Sequence, residues 1–168
     1  MKKRGIFILS AAVVLAAGLL CHHMLVQERE PEFVFSYAEN QTEDYPTTLG
    51  AKEFAKLVEK RSNGRIQILV QAEGALGTES DVIAQIQYGG IDFARVSLSQ
   101  LAEYIPELNV LQMPYLYTNS DHMWKVLDGE IGDAFLAATD ESELVGLSWY
   151  DAGARNFYNS KKPITCLE

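Results

Sequence analysis

Cysteine and histidine are scarce in this 168-residue sequence, which has two cysteines and three histidines. Cys21 and Cys166 are too few and too far apart to indicate a disulfide framework or a metal-binding pattern. His22 and His23 adjoin an apolar N-terminal segment, and His122 is the only histidine in the rest of the chain. The sequence therefore gives little support to a histidine-based catalytic site or a zinc site.

Basic residues are also few, with 14 Lys and Arg against 23 Asp and Glu and a net charge of −9. A nucleic-acid-binding protein needs clustered Lys and Arg to meet the phosphates, so this charge balance argues against nucleic acid as a partner. The excess of acidic residues would also repel a small anion at long range. Any anion-binding site must therefore depend on local cationic groups.

The sequence motifs that identify common catalytic and cofactor sites are absent. There is no Gly-x-Ser-x-Gly, His-Glu-x-x-His or Cys-x-x-Cys motif, and Gly74 and Gly77 lack the lysine of a phosphate-binding loop. We therefore expect no enzymatic activity, no cofactor and no metal. An enzyme on the same scaffold is the less favoured alternative, since fold class alone does not decide function.

The N-terminus has the layout of an export signal. Lys2, Lys3 and Arg4 precede an apolar run over residues 6–20, which is the arrangement of a secretory signal. We predict that residues 1–27 are a signal peptide or an N-terminal membrane anchor and that 28–32 are a linker. Lipid attachment at Cys21 stays open. The protein is expected on the periplasmic or extracellular side of the cytoplasmic membrane.

Strand and helix patterns alternate from residue 33 onwards. Strands are predicted at 33–37, 66–70 and 91–96 from their β-branched and aromatic residues. Helices are predicted to begin at Pro46 and after Thr78, whose spacing from Asp81 matches a capping box. This order predicts an α/β fold with a mostly parallel sheet and flanking helices. The first helix is expected to end at Asn63-Gly64.

Two further helices are expected later in the chain. One should be capped by Asn119-Ser120 and run to Leu127, and the other should span 130–139 with Ile131, Phe135 and Ala138 on one face.

Residues 144–158 combine a predicted strand with an arginine. Val145, Leu147 and Trp149 alternate with smaller or more polar residues, and a turn at 151–153 follows. Arg155 comes directly after this turn, and its planar guanidinium matches two carboxylate oxygens. The alternative is that Arg155 forms an ordinary surface ion pair.

The loops after the predicted strands contain the candidate site. In open α/β sheets, ligands bind outside the carboxyl ends of the strands, so these loops should line one edge. We predict a ligand-binding site there, without catalytic residues, formed by Glu39, Asn40, Ser97, Tyr150 and Arg155.

Five short segments of the sequence form a pattern when they are taken together. They are Ser62-Asn63-Gly64-Arg65-Ile66, Ala75-Leu76-Gly77, Gly90-Ile91-Asp92-Phe93, Met113-Pro114-Tyr115-Leu116-Tyr117 and Gly153-Ala154-Arg155-Asn156-Phe157-Tyr158-Asn159-Ser160-Lys161-Lys162-Pro163-Ile164. No single segment is specific, but the five in this order resemble one protein family, the dicarboxylate-binding group of TRAP-type (tripartite ATP-independent periplasmic) transporter substrate-binding proteins.

The resemblance implies a periplasmic-binding-protein-like fold of two α/β domains that close over an organic acid. It places Arg155, Ser97 and residues 38–40 at the ligand, and it implies delivery of the ligand to a membrane permease. It also implies that 33–150 form a nearly complete first domain. Residues 151–168 would then begin a hinge into a second domain that is largely absent, as is the arginine that clamps the carboxylate in that domain. The alternative is a ligand-sensing or non-functional truncated fragment of such a protein.

Overall fold

The computed structural model describes residues 30–154, 158–161 and 163. The predicted export segment and Arg155 lie outside these residues. Within them, no helix has both the length and the apolar character needed to cross a membrane.

Three parallel strands form the sheet. β1 (Phe33–Ala38) lies in the middle, with β2 (Ile66–Gln71) on one side and β3 (Phe93–Ala94) on the other. β1 pairs with β2 along its whole length, from Phe33 opposite Ile66 to Ala38 opposite Gln71. The predicted parallel sheet is therefore confirmed, and its three carboxyl ends point to the same edge.

The strand predicted at 91–96 is shorter than expected, since β3 contains only Phe93 and Ala94. Just before β3, the Asp92 side chain takes the place of the backbone hydrogen bonds that a longer strand would make with β1. The Asp92 carboxylate accepts hydrogen bonds from the Ser36 backbone N–H at 2.7 Å and from the Ser36 hydroxyl at 2.9 Å. The Asp92 N–H donates to the Ser36 hydroxyl oxygen. These contacts satisfy the polar groups that a longer ladder would have paired.

Helix α1 (Pro46–Arg61) covers one face of the sheet. Pro46 suits the first turn because its missing N–H would have no partner there. The helix packs on the sheet through a cluster centred on buried Tyr37, Ala51 and Ile68. It ends before Asn63 and Gly64, whose positive φ angles terminate the helical backbone.

Helix α2 (Glu79–Gln87) belongs to a separate cluster, which includes Ala38, Val82 and Ile91. The predicted capping box at its start is confirmed. The Thr78 hydroxyl donates to the Asp81 carboxylate at 2.6 Å and accepts from the Asp81 N–H at 3.3 Å. The Thr78 hydroxyl and the Thr78 N–H both donate to the Asp81 carboxylate, and they lower the pKa of Asp81 because they favour its charged form.

Short helices form a second core after β3. These are α3 (Leu98–Leu101), a 3-10 helix (Pro106–Gln112), α4 (Ser120–Leu127), α5 (Glu130–Ala137) and a second 3-10 helix (Ala138–Ser142). Leu108, Leu111 and Leu127 are buried at its centre. Asn119 caps α4 as predicted. Ile131 was predicted to share a face with Phe135 and Ala138. Phe135 and Ala138 do pack against this core, whereas Ile131 is 56% exposed.

The strand predicted at the start of 144–158 is wrong for residues 144–150, which have no regular secondary structure. Val145 and Leu147, predicted to share a packed face with Trp149, are 75% and 64% exposed. A strand requires a paired neighbour, and no strand in the described ranges pairs with this segment. Leu144 and Trp149 attach it to the rest of the fold, since Leu144 is buried and Trp149 packs on the helical core.

Gly132 sets how closely α5 approaches the end of α4. A Cβ atom at this position would lie 1.8 Å from the Leu127 carbonyl oxygen. We expect Gly132→Ala to destabilise the protein by at least ~1–3 kcal/mol, because backbone atoms must move to relieve the overlap. Alanine is otherwise favoured over glycine in a helix by ~1 kcal/mol, but this gain is smaller than the cost of the overlap.

Urea unfolding measures the effect. Asp133→Ala, at the exposed neighbouring position of α5, is the control and should change the unfolding midpoint much less. Equal midpoints for the two variants would contradict the role assigned to Gly132.

Candidate functional site

The loops after the three strands meet at one edge of the sheet, as predicted. Asn40 follows β1, Gly74 and Gly77 follow β2, and Ser97 follows β3. Together with the start of α2 they line an open groove of about 700 Å³. The remaining lining residues are Thr78, Glu79, Ser80, Asp81 and Gln100. Its lining residues are all glycines or residues with polar side chains, and it is the candidate ligand-binding site.

Glu39 lies beneath this groove. The residue is only 2% exposed, and its carboxylate accepts hydrogen bonds from three neighbours. These are the Asn40 N–H at 2.9 Å, the Gln41 N–H at 3.1 Å and the Thr47 hydroxyl at 3.0 Å. Glu39 therefore connects the end of β1 to the first turn of α1 from within the fold.

Arg95 is the cationic partner of Glu39. Its Nε lies 3.0 Å from Glu39 Oε1, and its Nη2 lies 2.5 Å from the same oxygen. The Arg95 side chain is 12% exposed and the Glu39 side chain is 0% exposed. Such a buried ion pair persists only when its remaining donors and acceptors are satisfied. Arg95 Nη2 also donates to Asn40 Oδ1, and Nη1 lies 3.3 Å from Glu79 Oε1.

Glu79, the first residue of α2, accepts hydrogen bonds at both carboxylate oxygens. Oε1 accepts from Arg95 Nη1 and from Asn40 Nδ2. Oε2 accepts from the Ser97 N–H at 3.3 Å and from the Ser97 hydroxyl. Its side chain is 13% exposed and borders the open groove. One carboxylate thus joins the loops after β1 and β3 to the start of α2.

Three of the residues predicted at this edge lie there, namely Glu39, Asn40 and Ser97. Arg95 and Glu79 were not predicted. Arg95 directly follows the last residue of β3 and Glu79 follows the cap of α2. Arg95 thus lies at the carboxyl end of a strand, and Glu79 lies at the start of a helix at the same edge. In α/β sheets, ligands bind outside the carboxyl ends of the strands. That rule, applied to charged residues and not only to loops, would have found both.

Tyr150 lies in a different environment, against α1. A Cβ atom added at Gly50 would lie 2.9 Å from the Tyr150 ring, so the glycine makes room for it. Burial raises the pKa of Tyr37 on β1, and the adjacent Tyr150 adds to this rise. Tyr150 itself is 40% exposed. Contact of these predicted residues with a ligand stays a prediction, and Arg155 lies outside the described residues.

The named charges of the site sum to a net negative charge. The guanidinium of Arg95 faces two carboxylates, those of Glu39 and Glu79. Because Arg95 is already paired, it offers little attraction to a further anion at this edge. In the part of the chain that the structure describes, no three His, Cys, Asp or Glu side chains are grouped so that they could hold a metal ion.

A three-stranded parallel sheet with flanking helices and a groove at its carboxyl edge is the arrangement of an α/β domain, a class in which ligands commonly bind at that edge. The chain belongs to the bacterial extracellular solute-binding protein family 7, whose model matches residues 37–168. The resemblance seen in the sequence is thereby confirmed.

Two curated relatives are also named as solute- or dicarboxylate-binding proteins. A solute-binding protein of Chromohalobacter salexigens is 36% identical over 71% of this chain and 36% of its own length. The C4-dicarboxylate-binding protein DctB of Bacillus subtilis is 30% identical over 80% of this chain and 39% of its own length.

Solved structures of TRAP periplasmic solute-binding proteins match with TM-scores near 0.7. One from Bradyrhizobium, in complex with galacturonate, is 40% identical over 77% of this chain and 43% of its own, with a TM-score of 0.72. One from Sulfurospirillum deleyianum, with bound succinate, is 26% identical over 73% of this chain and 40% of its own, with a TM-score of 0.68. This chain thus spans about two-fifths of these proteins.

Loss of the buried ion pair should destabilise the fold. Arg95→Met leaves Glu39 buried without its charged partner, and we expect a loss of about 3–5 kcal/mol. Adding Glu39→Gln removes the unpaired charge and should restore part of that loss. Urea unfolding of the two single variants and the double variant measures the coupling.

Arg65→Met provides the matched control. Arg65 forms an ion pair with Glu32 at 2.7 Å, but both side chains are more than half exposed. Exposed pairs contribute little, so this change should be small. If Arg65→Met and Arg95→Met lowered the free energy of unfolding equally, burial would not make the Arg95 pair more stabilising than an exposed pair.

Proposed function

We propose that this protein is the extracytoplasmic solute-binding component of a TRAP transporter, which captures an organic acid and delivers it to a membrane permease. The observation that carries the proposal is the convergence of Asn40, Glu79, Arg95 and Ser97 at the carboxyl edge of a parallel sheet. Family membership supports the same function.

A sugar acid is the ligand class that we favour. The groove carries hydroxyl, amide and carboxylate groups from Asn40, Thr78, Ser80, Ser97 and Gln100, among others. These groups match the many hydroxyls of a sugar better than the methylenes of a short dicarboxylate. Similar structures with bound galacturonate or glucuronate support this class.

The predicted site residues take different roles in this proposal. Arg155 receives the ligand carboxylate through its planar guanidinium. Asn40 and Ser97 contact the ligand at the groove, and Tyr150 contributes an aromatic surface. Buried Glu39 acts indirectly, because it holds Arg95 in place.

Export and domain organisation complete the proposal. Residues 1–27 direct export and are either cleaved, lipidated at Cys21 or retained as an anchor, and 28–32 link them to the domain. Residues 33–150 are the first domain and 151–168 lead towards a second. Names of relatives such as the "C4-dicarboxylate-binding periplasmic protein DctP" of Rhodobacter capsulatus support this location.

Calorimetric titration tests the function. We expect D-galacturonate or D-glucuronate to bind, whereas D-galactose, which has no carboxylate, should not. The titration uses this chain and a chimaera in which it continues into the part of the Chromohalobacter relative that it does not cover. No heat of binding from any organic acid in the chimaera would overturn the proposal.

Arg155→Ala in that chimaera should weaken binding by roughly 10- to 150-fold, because a charge-assisted hydrogen bond to the carboxylate is lost. Arg155→Lys should restore only part of the affinity, since an ammonium cannot form the bidentate contact. The melting temperature without ligand should hardly change. A large fall in that temperature with unchanged affinity would instead identify Arg155 as a structural ion-pair partner.

A further inference from the structure

Glu79 occupies a set of donors that would also suit a ligand. We propose that Asn40, Arg95 and Ser97 form a carboxylate-binding site, which the chain's own Glu79 fills in this conformation and which a ligand carboxylate can take over. We call this set the Glu79 cradle. The inference deepens the proposed function and rests on it only for the identity of the natural ligand.

The cradle has the donor count and geometry that a carboxylate requires. Two hydrogen bonds reach each oxygen of Glu79: Arg95 Nη1 and Asn40 Nδ2 donate to Oε1, and the Ser97 N–H and hydroxyl donate to Oε2. One donor is a guanidinium and one is a backbone amide, so the position of the bound carboxylate is well defined. Any carboxylate of similar size could make the same four contacts.

The cradle does not depend on Glu79 for its shape. Arg95 is held by buried Glu39 through Nε and Nη2, which leaves Nη1 directed at Glu79. The Asn40 backbone N–H is held by Glu39 as well. The donors should therefore stay in place when the Glu79 side chain moves away.

Glu79 can leave without unfolding its helix. The cap of α2 is made by Thr78 and Asp81, through hydrogen bonds that do not involve the Glu79 side chain. Glu79 also borders the open groove, so its carboxylate has space to move into. The start of α2 can thus stay folded while the cradle is vacated.

Occupation of the cradle by Glu79 has a consequence for ligand specificity. Glu39 and Glu79 already place two negative charges around one guanidinium, and a third carboxylate beside them would be repelled. A ligand with one carboxylate, held at Arg155, leaves Glu79 in place to accept hydrogen bonds from ligand hydroxyls. A dicarboxylate must displace Glu79 to place its second carboxylate, and this exchange lowers its affinity.

The test uses acetate as a minimal carboxylate and Glu79→Ala to empty the cradle. The melting temperature of this variant is measured in sodium acetate and in sodium chloride of equal ionic strength. Acetate at tenfold its dissociation constant should raise the melting temperature of Glu79→Ala by about 4 °C over chloride. The unaltered chain should show no such difference, because Glu79 fills the cradle.

Two controls make the result specific. Glu79→Gln keeps the cradle filled by a side chain of the same size, so acetate should give no selective stabilisation. Ser97→Ala added to Glu79→Ala removes one donor and should weaken the acetate effect. If Glu79→Ala does not fold in chloride, recovery of folded protein after dilution from urea into acetate or chloride is compared instead.

The acetate experiment and the titration of organic acids test two separate proposals, the cradle and the transport function. Equal behaviour of Glu79→Ala in acetate and chloride would overturn the cradle, even if sugar acids bind the chimaera. Rescue by acetate together with no binding of any organic acid would support the cradle and overturn the proposed function alone.

Discussion

The buried ion pair between Glu39 and Arg95 is the interaction on which the candidate site depends. Removing both charges from water costs several kcal/mol per ion, and only a complete set of partners offsets that cost. Glu39 has the Thr47 hydroxyl and two backbone amides in addition to Arg95. These contacts join the end of β1, the end of β3 and the start of α1, so the edge of the sheet has one well-defined arrangement.

This constraint also determines how an acidic protein can present an anion site. The net charge of −9 repels anions at long range, and Arg95 is neutralised by its own neighbours. In the proposed function, recognition at the groove then relies on directed hydrogen bonds, which act only at contact distance. A ligand hydroxyl donates to the Glu79 carboxylate, or a ligand carboxylate that displaces Glu79 accepts from Asn40 and Ser97. Selectivity among organic acids would then follow from these contacts more than from overall attraction.

The features that local interactions determine were predictable from the sequence. The caps at Thr78 and Asn119 and the helix end at Asn63 depend on residues a few positions apart, and all three were correct. The length of β3 and the segment 144–150 depend on distant partners, such as Asp92 with Ser36, so their predictions failed. Arg95 was missed because the strand-end rule was applied to loops and not to charged residues, and its burial against Glu39 joins two residues that are 56 positions apart.

The segment around Tyr150 is attached to the fold at two places. Trp149 packs on the helical core, whereas Tyr150 lies against Gly50 of α1 and interacts with Tyr37. Tyr37 precedes Glu39 by only two residues on β1. The contact between Gly50 and Tyr150 therefore links the segment 144–150 to α1 and to the strand that leads into Glu39.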